Sequence, residues 1–526
     1  MPGEEYAMRD AGWAACETET SSFDEYDCTK LLDSIFGDTH ETAQVVGDLC
    51  TPPLSAETIA VEDSSVVDCG FFGIGFANCW RMLRTYELEI NSIFPMFSVY
   101  ELQNKLEDLG TLYRSRGSVS SAPERDLVLM KLAISCSAAV SDSLTDTIMA
   151  MYEDCRRKME PKIVSGQPDL YIVLCLWFMT LYELNREQES QAYRLLGFAS
   201  VLVTELGLHS RERLSRLFPV REQADRCRMI FWCIYVLDRR LAQSTNKPYI
   251  LRDENIEQQL PQCPDLINED ERQRYLHMSA MVEYTRLAAK VWTLASSLVG
   301  STTDELSINV RIDAVDELGS SIDQWKQELP IELQFGDPFA FSSTFSVKLP
   351  LYLRLNHNYL VATLNRPFLY AFSQNLSFAI RAVDVSLDSI RLLWKLHFEY
   401  SRYLSSPVQY HYFFISALGV LVTGIVHAPV LIVQLSQNEW SLALDLLKLL
   451  SPQSKIAKRL LRTVNNLKAS ISPDFEDLQT PGSLDIPQLA TDLNDLYNKL
   501  TGHSKTIDYE LKLSRHSNSI VPFGRY

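Results

Sequence analysis

The sequence predicts an all-α fold, a large multi-helix domain, on three observations. Apolar residues recur at helical spacing through most of residues 67–475, strand-like alternation is scarce, and Met229–Leu237 is uncharged throughout. At about 3.6 residues per turn such a run wraps the whole circumference of a helix, and a helix apolar all round belongs in a core or a membrane. The run is too short to cross a bilayer, so it reads as an interior rod. A chain of 526 residues with 46% hydrophobic content can bury a large core around it.

Residues 1–66 read as an acidic, largely disordered tail. In residues 1–50 twelve acids stand against Arg9 and Lys30, which places −10 of the net charge of −18 there. Phosphate backbones attract the opposite sign, so this segment is no DNA-binding arm, and the remaining −8 gives no basic footprint either. In FDEYDCTKLLDSIFGD, Leu31, Leu32, Ile35 and Phe36 would share one face of a short helix among acids. Such a tract suits folding against a partner, and equally suits a solubilising tail. The first 20 residues hold five acids and no apolar run, so no signal peptide is expected.

Two helices are expected at Leu170–Leu184 and Gln188–Leu206. Leu195, Ala199, Leu202 and Leu206 would form the stripe of the second, Gly207 its C-terminal cap, and Gly197 a point where another helix comes close. The next helix should start at Pro219 or Val220 and end near Gln243–Thr245, ahead of Pro248. Asp225 with Arg228, and Glu222 with Arg226, have ion-pair spacing. Asp253 would cap a further short turn that Pro261 stops.

Further helices are expected at Glu271–Val299, Val310–Glu328, Val347–Tyr370 with a break at Pro367, Ser377–Glu399, Tyr410–Gln434, Ser441–Leu450 and Ser454–Lys468. Phe413–Val433 is long enough to span a bilayer, but His427 and Pro429 interrupt it and no basic cluster flanks it, so it reads as a buried helix. Residues 476–526 read as a weakly structured C-terminal tail with a short helix near Pro487–Leu500.

Motifs for chemistry are missing. GFFGIGFANCW (Gly70–Trp80) lacks the preceding strand and following acid of a dinucleotide site. The sequence has no HExxH, Walker loop, GxSxG elbow or paired-Asp magnesium cluster. His209, His357, His397, His411 and His427 have no nucleophile or acid at meaningful spacing and read as packing or surface residues. Cys227 and Cys233 lie about 120° off a shared helix face, so they do not aim at one ion. Cys79, Cys175, Cys227 and Cys233 read as small buried hydrophobes. No catalytic, cofactor-binding or metal-binding residue is expected.

A set of motifs in order then points to a family. Arg226, Arg228, Phe231, Trp232, Tyr235, Leu237, Asp238 and Arg239, followed by Pro248, Asn255, Ile256 and Leu260–Pro261, resemble the signature of the fungal-specific transcription factor domain, the helical middle region of zinc binuclear-cluster regulators. Ala192–His209, Phe94–Pro95 and Asn365–Phe368 resemble its flanking elements, from about Phe71 to Tyr370. The resemblance implies a nuclear transcription regulator, not an enzyme, whose helical domain senses an effector or binds a partner, with metabolic or biosynthetic genes as targets. The alternative is an accessory protein or enzyme of small-molecule metabolism on the same helical body.

Arg226, Arg228, Phe231, Trp232, Tyr235, Asp238, Arg239, Pro248 and Pro261 are expected to be the structural core of the motif, with Asp238 and Arg239 bonding neighbouring helix ends or each other's partners, and Arg226 and Arg228 bonding acids on other helices. Asn246 stands where the family often has Gly before the Pro, and Asn tolerates left-handed dihedrals. Cys16, Cys28, Cys50, Cys69 and Cys79 do not have the spacing of the family's zinc cluster, so direct DNA binding is not supported. The expected partners are the transcription machinery or a DNA-binding protein. A small-molecule effector and a homodimer remain open, and no membrane association is expected.

Overall fold

A computed structural model describes residues 74–462, apart from residues 98, 117–118, 120–121, 141–143, 246, 264–268, 300–304, 337–343, 370–375, 399–406, 428, 453–456 and 459–460. The expectations for residues 1–66 and 476–526, the left-handed Asn246 and most of the Ser454–Lys468 helix lie outside the described residues. Among the described residues the secondary structure is helical with no strand, so the fold is all-α.

The described residues open with α1 (Phe76–Tyr86), which Gly75 starts at φ 83°, a conformation costly for any side-chain-bearing residue. One π turn, Glu87–Asn91, follows directly. Then come α2 (Val99–Arg116), α3 (Glu124–Val140), α4 (Asp146–Ser165), α5 (Leu170–Asn185), α6 (Glu189–Glu205), α7 (Arg211–Leu217) and α8 (Arg221–Thr245). Beyond the connector lie α9 (Glu269–Val299), α10 (Glu305–Glu328), α11 (Thr344–Asn365), α12 (Leu376–Phe398), α13 (Pro407–His427) and α14 (Pro429–Leu450).

Caps explain several boundaries. Asp169 accepts from the Tyr171 N–H at 2.8 Å to start α5, and Thr145 accepts from Ile148 N–H at 3.3 Å to start α4. Gly207 at φ 75° closes α6. A β-carbon at Gly207 would also meet Arg213, whose Nε lies 2.8 Å from that position.

Packing runs in two groups joined through the middle. α3 packs on α1, α4 and α5, and α5 on α6; α11 packs on α12, and α12 on α13 and α14. α8 touches α6 on one side and α9 on the other, and α9 continues to α11, so α8 links the two groups. A second tie runs from the π turn. There Lys348 of α11 donates to the Glu89 carboxylate at 2.7 Å and to the Glu89 carbonyl at 3.0 Å, while Arg274 of α9 pairs with Glu87. The inserted residue of a π turn leaves carbonyls without helical partners, and the buried ammonium takes them up.

Several expectations change. The buried residues of α6 are Ala192, Leu196, Ala199, Ser200, Leu202 and Val203, so Ala199 and Leu202 are buried as expected, while Leu195 and Leu206 are only partly covered and the face extends to Ala192, Leu196 and Val203. At Gly197 the close neighbour is Ile250 of the connector, 3.1 Å from where a β-carbon would stand, not another helix. α8 starts at Arg221 with Val220 capping it through the Ala224 N–H, one residue later than expected.

The short turn after Pro248 is Asp253–Asn255, but the Asp253 side chain does not cap it and the turn ends at Ile256, well before Pro261. Tyr410–Gln434 is not one helix: α13 ends at His427 and α14 starts at Pro429, because proline lacks the N–H to continue one helix yet suits the first turn of the next. Ser441–Leu450 is the second half of α14. Among the described residues no helix is long and apolar enough to cross a membrane.

Candidate functional site

The rod is interior. Every side chain from Met229 to Leu237 is buried, and Phe231, Trp232 and Tyr235 are fully so. The Trp232 ring packs edge-on against Phe231 and Tyr235, each at 5.1 Å. Burying one such side chain stabilises the fold by about 1.5–3 kcal/mol.

The last turns of α8 grip the connector that returns along them. The Asp238 carboxylate accepts the backbone N–H groups of Ile250 (3.1 Å) and Leu251 (3.1 Å). Arg239, 2% exposed, donates to Asp238 (3.0 Å), to the Leu251 carbonyl and to Asp253 (2.9 Å). Its guanidinium lies between the rings of Tyr235 (4.5 Å) and Tyr249 (4.3 Å). Tyr235 donates to Asp253 at 2.6 Å, and Trp232 donates from its indole N–H to the Gln259 carbonyl at 2.7 Å.

Burial raises the Asp238 carboxyl to about 6, against the opposing pull of the two backbone N–H groups and Arg239. The expected partners of Asp238 and Arg239, neighbouring helix ends, are therefore replaced by the connector. A buried charge needs donors wherever they are, and the connector's unpaired amides and carbonyls lie nearest.

The other motif residues occupy the rim of this frame. Arg226 pairs with Glu101 of α2. Arg228 makes the pair with Asp225 that the spacing predicts and donates to Gln258 at 3.1 Å, rather than bonding an acid on another helix. Gln258 in turn donates to the Leu208 carbonyl at 3.0 Å, which fastens the connector to the end of α6. Pro248 is exposed, but its carbonyl accepts from Tyr193 of α6 at 2.7 Å. Pro261 is buried and its carbonyl accepts from Ser279 of α9 at 3.0 Å. Phe94 lies edge-on to Trp177 at 5.6 Å, and Phe368 stacks on Phe378 at 4.6 Å.

Beside Arg239 a cleft opens between α8, α9, α11 and α13. Its open volume of about 20 Å³ is room for about one water. Sequence reasoning did not place this cleft, because its walls come from helices far apart in the chain.

Among the described residues the most buried histidines are held neutral. Burial pushes His357 and His411 down to about 4, so both are neutral near pH 7. The sequence reading passed over His277, which is fully buried, has no hydrogen bond on either ring nitrogen and is pushed by burial to about 3. Burial raises the Cys79 thiol to about 11 and that of Cys155 to about 12, which makes them poor nucleophiles. Among the described residues no group of three or more His, Cys, Asp or Glu side chains is placed to hold a metal ion.

Several proteins similar to this chain are named as transcription regulators. An ABC-transporter-regulating transcription factor of Aspergillus fumigatus is 23% identical over 172 residues, 32% of this chain and 19% of its own length. An uncharacterised transcriptional regulatory protein of Schizosaccharomyces pombe is 22% identical over 286 residues, 51% of this chain and 34% of its own. Pyrimidine pathway regulatory protein 1 of Saccharomyces cerevisiae is 26% identical over 119 residues, 23% of this chain and 13% of its own. The matches thus span between about an eighth and a third of these relatives. The segment that holds α8 and its gripped connector matches a known family: residues 83–327 are similar to the fungal specific transcription factor domain.

Proposed function

We propose that this protein is a nuclear regulator of transcription whose helical domain senses an effector or holds a partner protein. The match of residues 83–327 to the fungal transcription factor domain carries the reading, and the regulatory names of the similar proteins support it. Arg226, Arg228, Phe231, Trp232, Tyr235, Asp238, Arg239, Pro248 and Pro261 form the frame of that domain. Residues 1–66, acidic with interleaved apolar residues, recruit the transcription machinery. With a net charge of −18 the chain reaches DNA through a DNA-binding partner.

The test is a tethering assay. The full chain and residues 1–66 alone are each fused to an unrelated DNA-binding domain and read on a reporter. Expression that shifts with the full chain supports regulation, and activation by residues 1–66 supports recruitment by the tail. If neither fusion departs from the bare DNA-binding domain, the reading fails.

A further inference from the structure

We propose that the packing of α9 on α11 is an acid-sensitive latch, released when the buried ring of His277 takes up a proton. The signal is the proton itself, and the latch works whether or not the chain regulates transcription. His277 stands on α9, fully buried, with the Tyr352 ring of α11 beside it at 5.9 Å. Neither of its ring nitrogens has a hydrogen-bond partner. A neutral imidazole carries one N–H, whereas an imidazolium carries two and a charge. A buried charge without acceptors is costly, so the closed interface either excludes the proton or gives way.

Among the described residues, the groups around the ring offer it no counter-charge. On α9 Arg274 pairs with Glu87, and on α11 Lys348 pairs with Glu89, about one helical turn before His277 and Tyr352 respectively. The carboxylates of the π turn are thus already matched. From α8, Arg240 donates to the Tyr352 hydroxyl at 2.9 Å. On α10, Asp323 and Lys326 act on His357 and not on His277. The turn Ile331–Leu333 brings Glu332, bonded to Arg272 at 2.8 Å, and the turn Arg366–Leu369 brings Arg366, a further cation. None of these groups moves the ring: burial alone pushes it down from 6.5 to about 3.

An open form, in which His277 meets water, takes a proton near pH 6.5, and the closed form only near pH 3. The closed interface is therefore fully favoured above about pH 6.5, and opening gains about tenfold for each pH unit below it. His357 on α11 and His411 on α13, both buried and pushed down to about 4, act in the same direction where their surroundings open. Burial raises the carboxyls of Glu283 on α9 and Asp384 on α12, which act in the opposite direction. α9 lies within the family-matched residues 83–327 and α11 beyond them, so release changes how the C-terminal helices sit on that segment.

The experiment follows the full chain by hydrogen-exchange mass spectrometry between about pH 7.5 and pH 5.5, with rates corrected for intrinsic exchange. Opening of α9 around His277 and of α11 around Tyr352 should rise about tenfold or more over that range, while α5 stays closed. His277→Phe should take one proton out of the dependence, so its rise is about tenfold smaller than that of the parent chain. The other titrating groups are common to both chains and cancel. Exchange of the His277 ring C2 hydrogen in the parent chain gives a second reading that needs no variant, and it decides the matter if His277→Phe does not fold: the ring should stay neutral for as long as α9 is closed. A ring that titrates near pH 6.5 without opening, an equal rise in α5 (general acid unfolding), or an unchanged dependence in a folded His277→Phe would each overturn the proposal.

Discussion

The carboxylate of Asp238 accepts the backbone N–H of Leu251, thirteen residues further along the chain, at 3.1 Å. It also pairs with Arg239 in a site that water does not reach. Asp238→Asn removes the charge that balances Arg239 and puts an amide N–H₂ where acceptors are needed. Breaking one side of a buried pair costs about 3–5 kcal/mol. Equilibrium denaturation at pH 7 should show a loss of that order, and a loss below about 1 kcal/mol would contradict the clamp.

Glu189 gives a pH dependence of defined sign. Burial, with the nearby Glu187 adding to it and Lys247 opposing it, raises the Glu189 carboxyl from 4.5 to about 7. A carboxyl whose folded pKa lies above its unfolded value binds its proton more tightly when folded. Its contribution to stability is therefore full below about pH 4.5 and declines as pH rises to about 7. Glu189→Gln should stabilise the protein at pH 8 by about 1 kcal/mol and have little effect at pH 4. Denaturation curves of both proteins at the two pH values check this, and equal effects at both would refute it.

Lys348→Ala should strip the π turn of its buried cation, taking one partner from the Glu89 carboxylate and leaving two carbonyl contacts unmade. A cost of about 3–5 kcal/mol is expected. Adding Glu89→Leu should recover part of it by removing the carboxylate that lost its ammonium, but not all, because the carbonyls of Leu88 and Glu89 still lack the ammonium. Urea midpoints of the single and double variants give the coupling directly.

Trp232 separates packing from hydrogen bonding. Trp232→Ala should cost about 3–5 kcal/mol through the cavity it leaves. Trp232→Phe keeps most of the ring contact and loses only the donor to Gln259, so about 1–2 kcal/mol is expected. A ring truncation no more costly than the Phe variant would mean that Met229–Leu237 is not the packing axis.

These residues also show where the sequence was legible. The rod was readable because an uncharged run wrapping a whole helix leaves a single soluble solution, and α5 and the end of α6 were readable from their apolar runs and Gly207. α3 was not assigned a separate helix, because Ser135, Ser137, Ala138 and Ala139 are small and weakly apolar, although they are buried. The partners of Asp238 and Arg239 were misplaced because they are mostly main-chain atoms, which carry no side-chain signature. His277 left no pattern at all, since a lone buried imidazole looks in sequence like any other, and the cleft depends on contacts between segments more than a hundred residues apart.

The connector is held largely by what every residue shares. Pro248 and Gln259 contribute carbonyls, Ile250 an amide, Leu251 both, and Pro261 a carbonyl, while the gripping side chains stand on helices. Hydrogen bonding alone therefore leaves side-chain identity open at these positions, although Leu251 and Pro261 are also buried, whereas Tyr193, Trp232, Asp238, Arg239 and Ser279 on the helices and Asp253 and Gln258 on the strap are tied to their chemistry. A distant relative can exchange the exposed parts of the strap and still seat it in the same groove, provided that these seven side chains are unchanged.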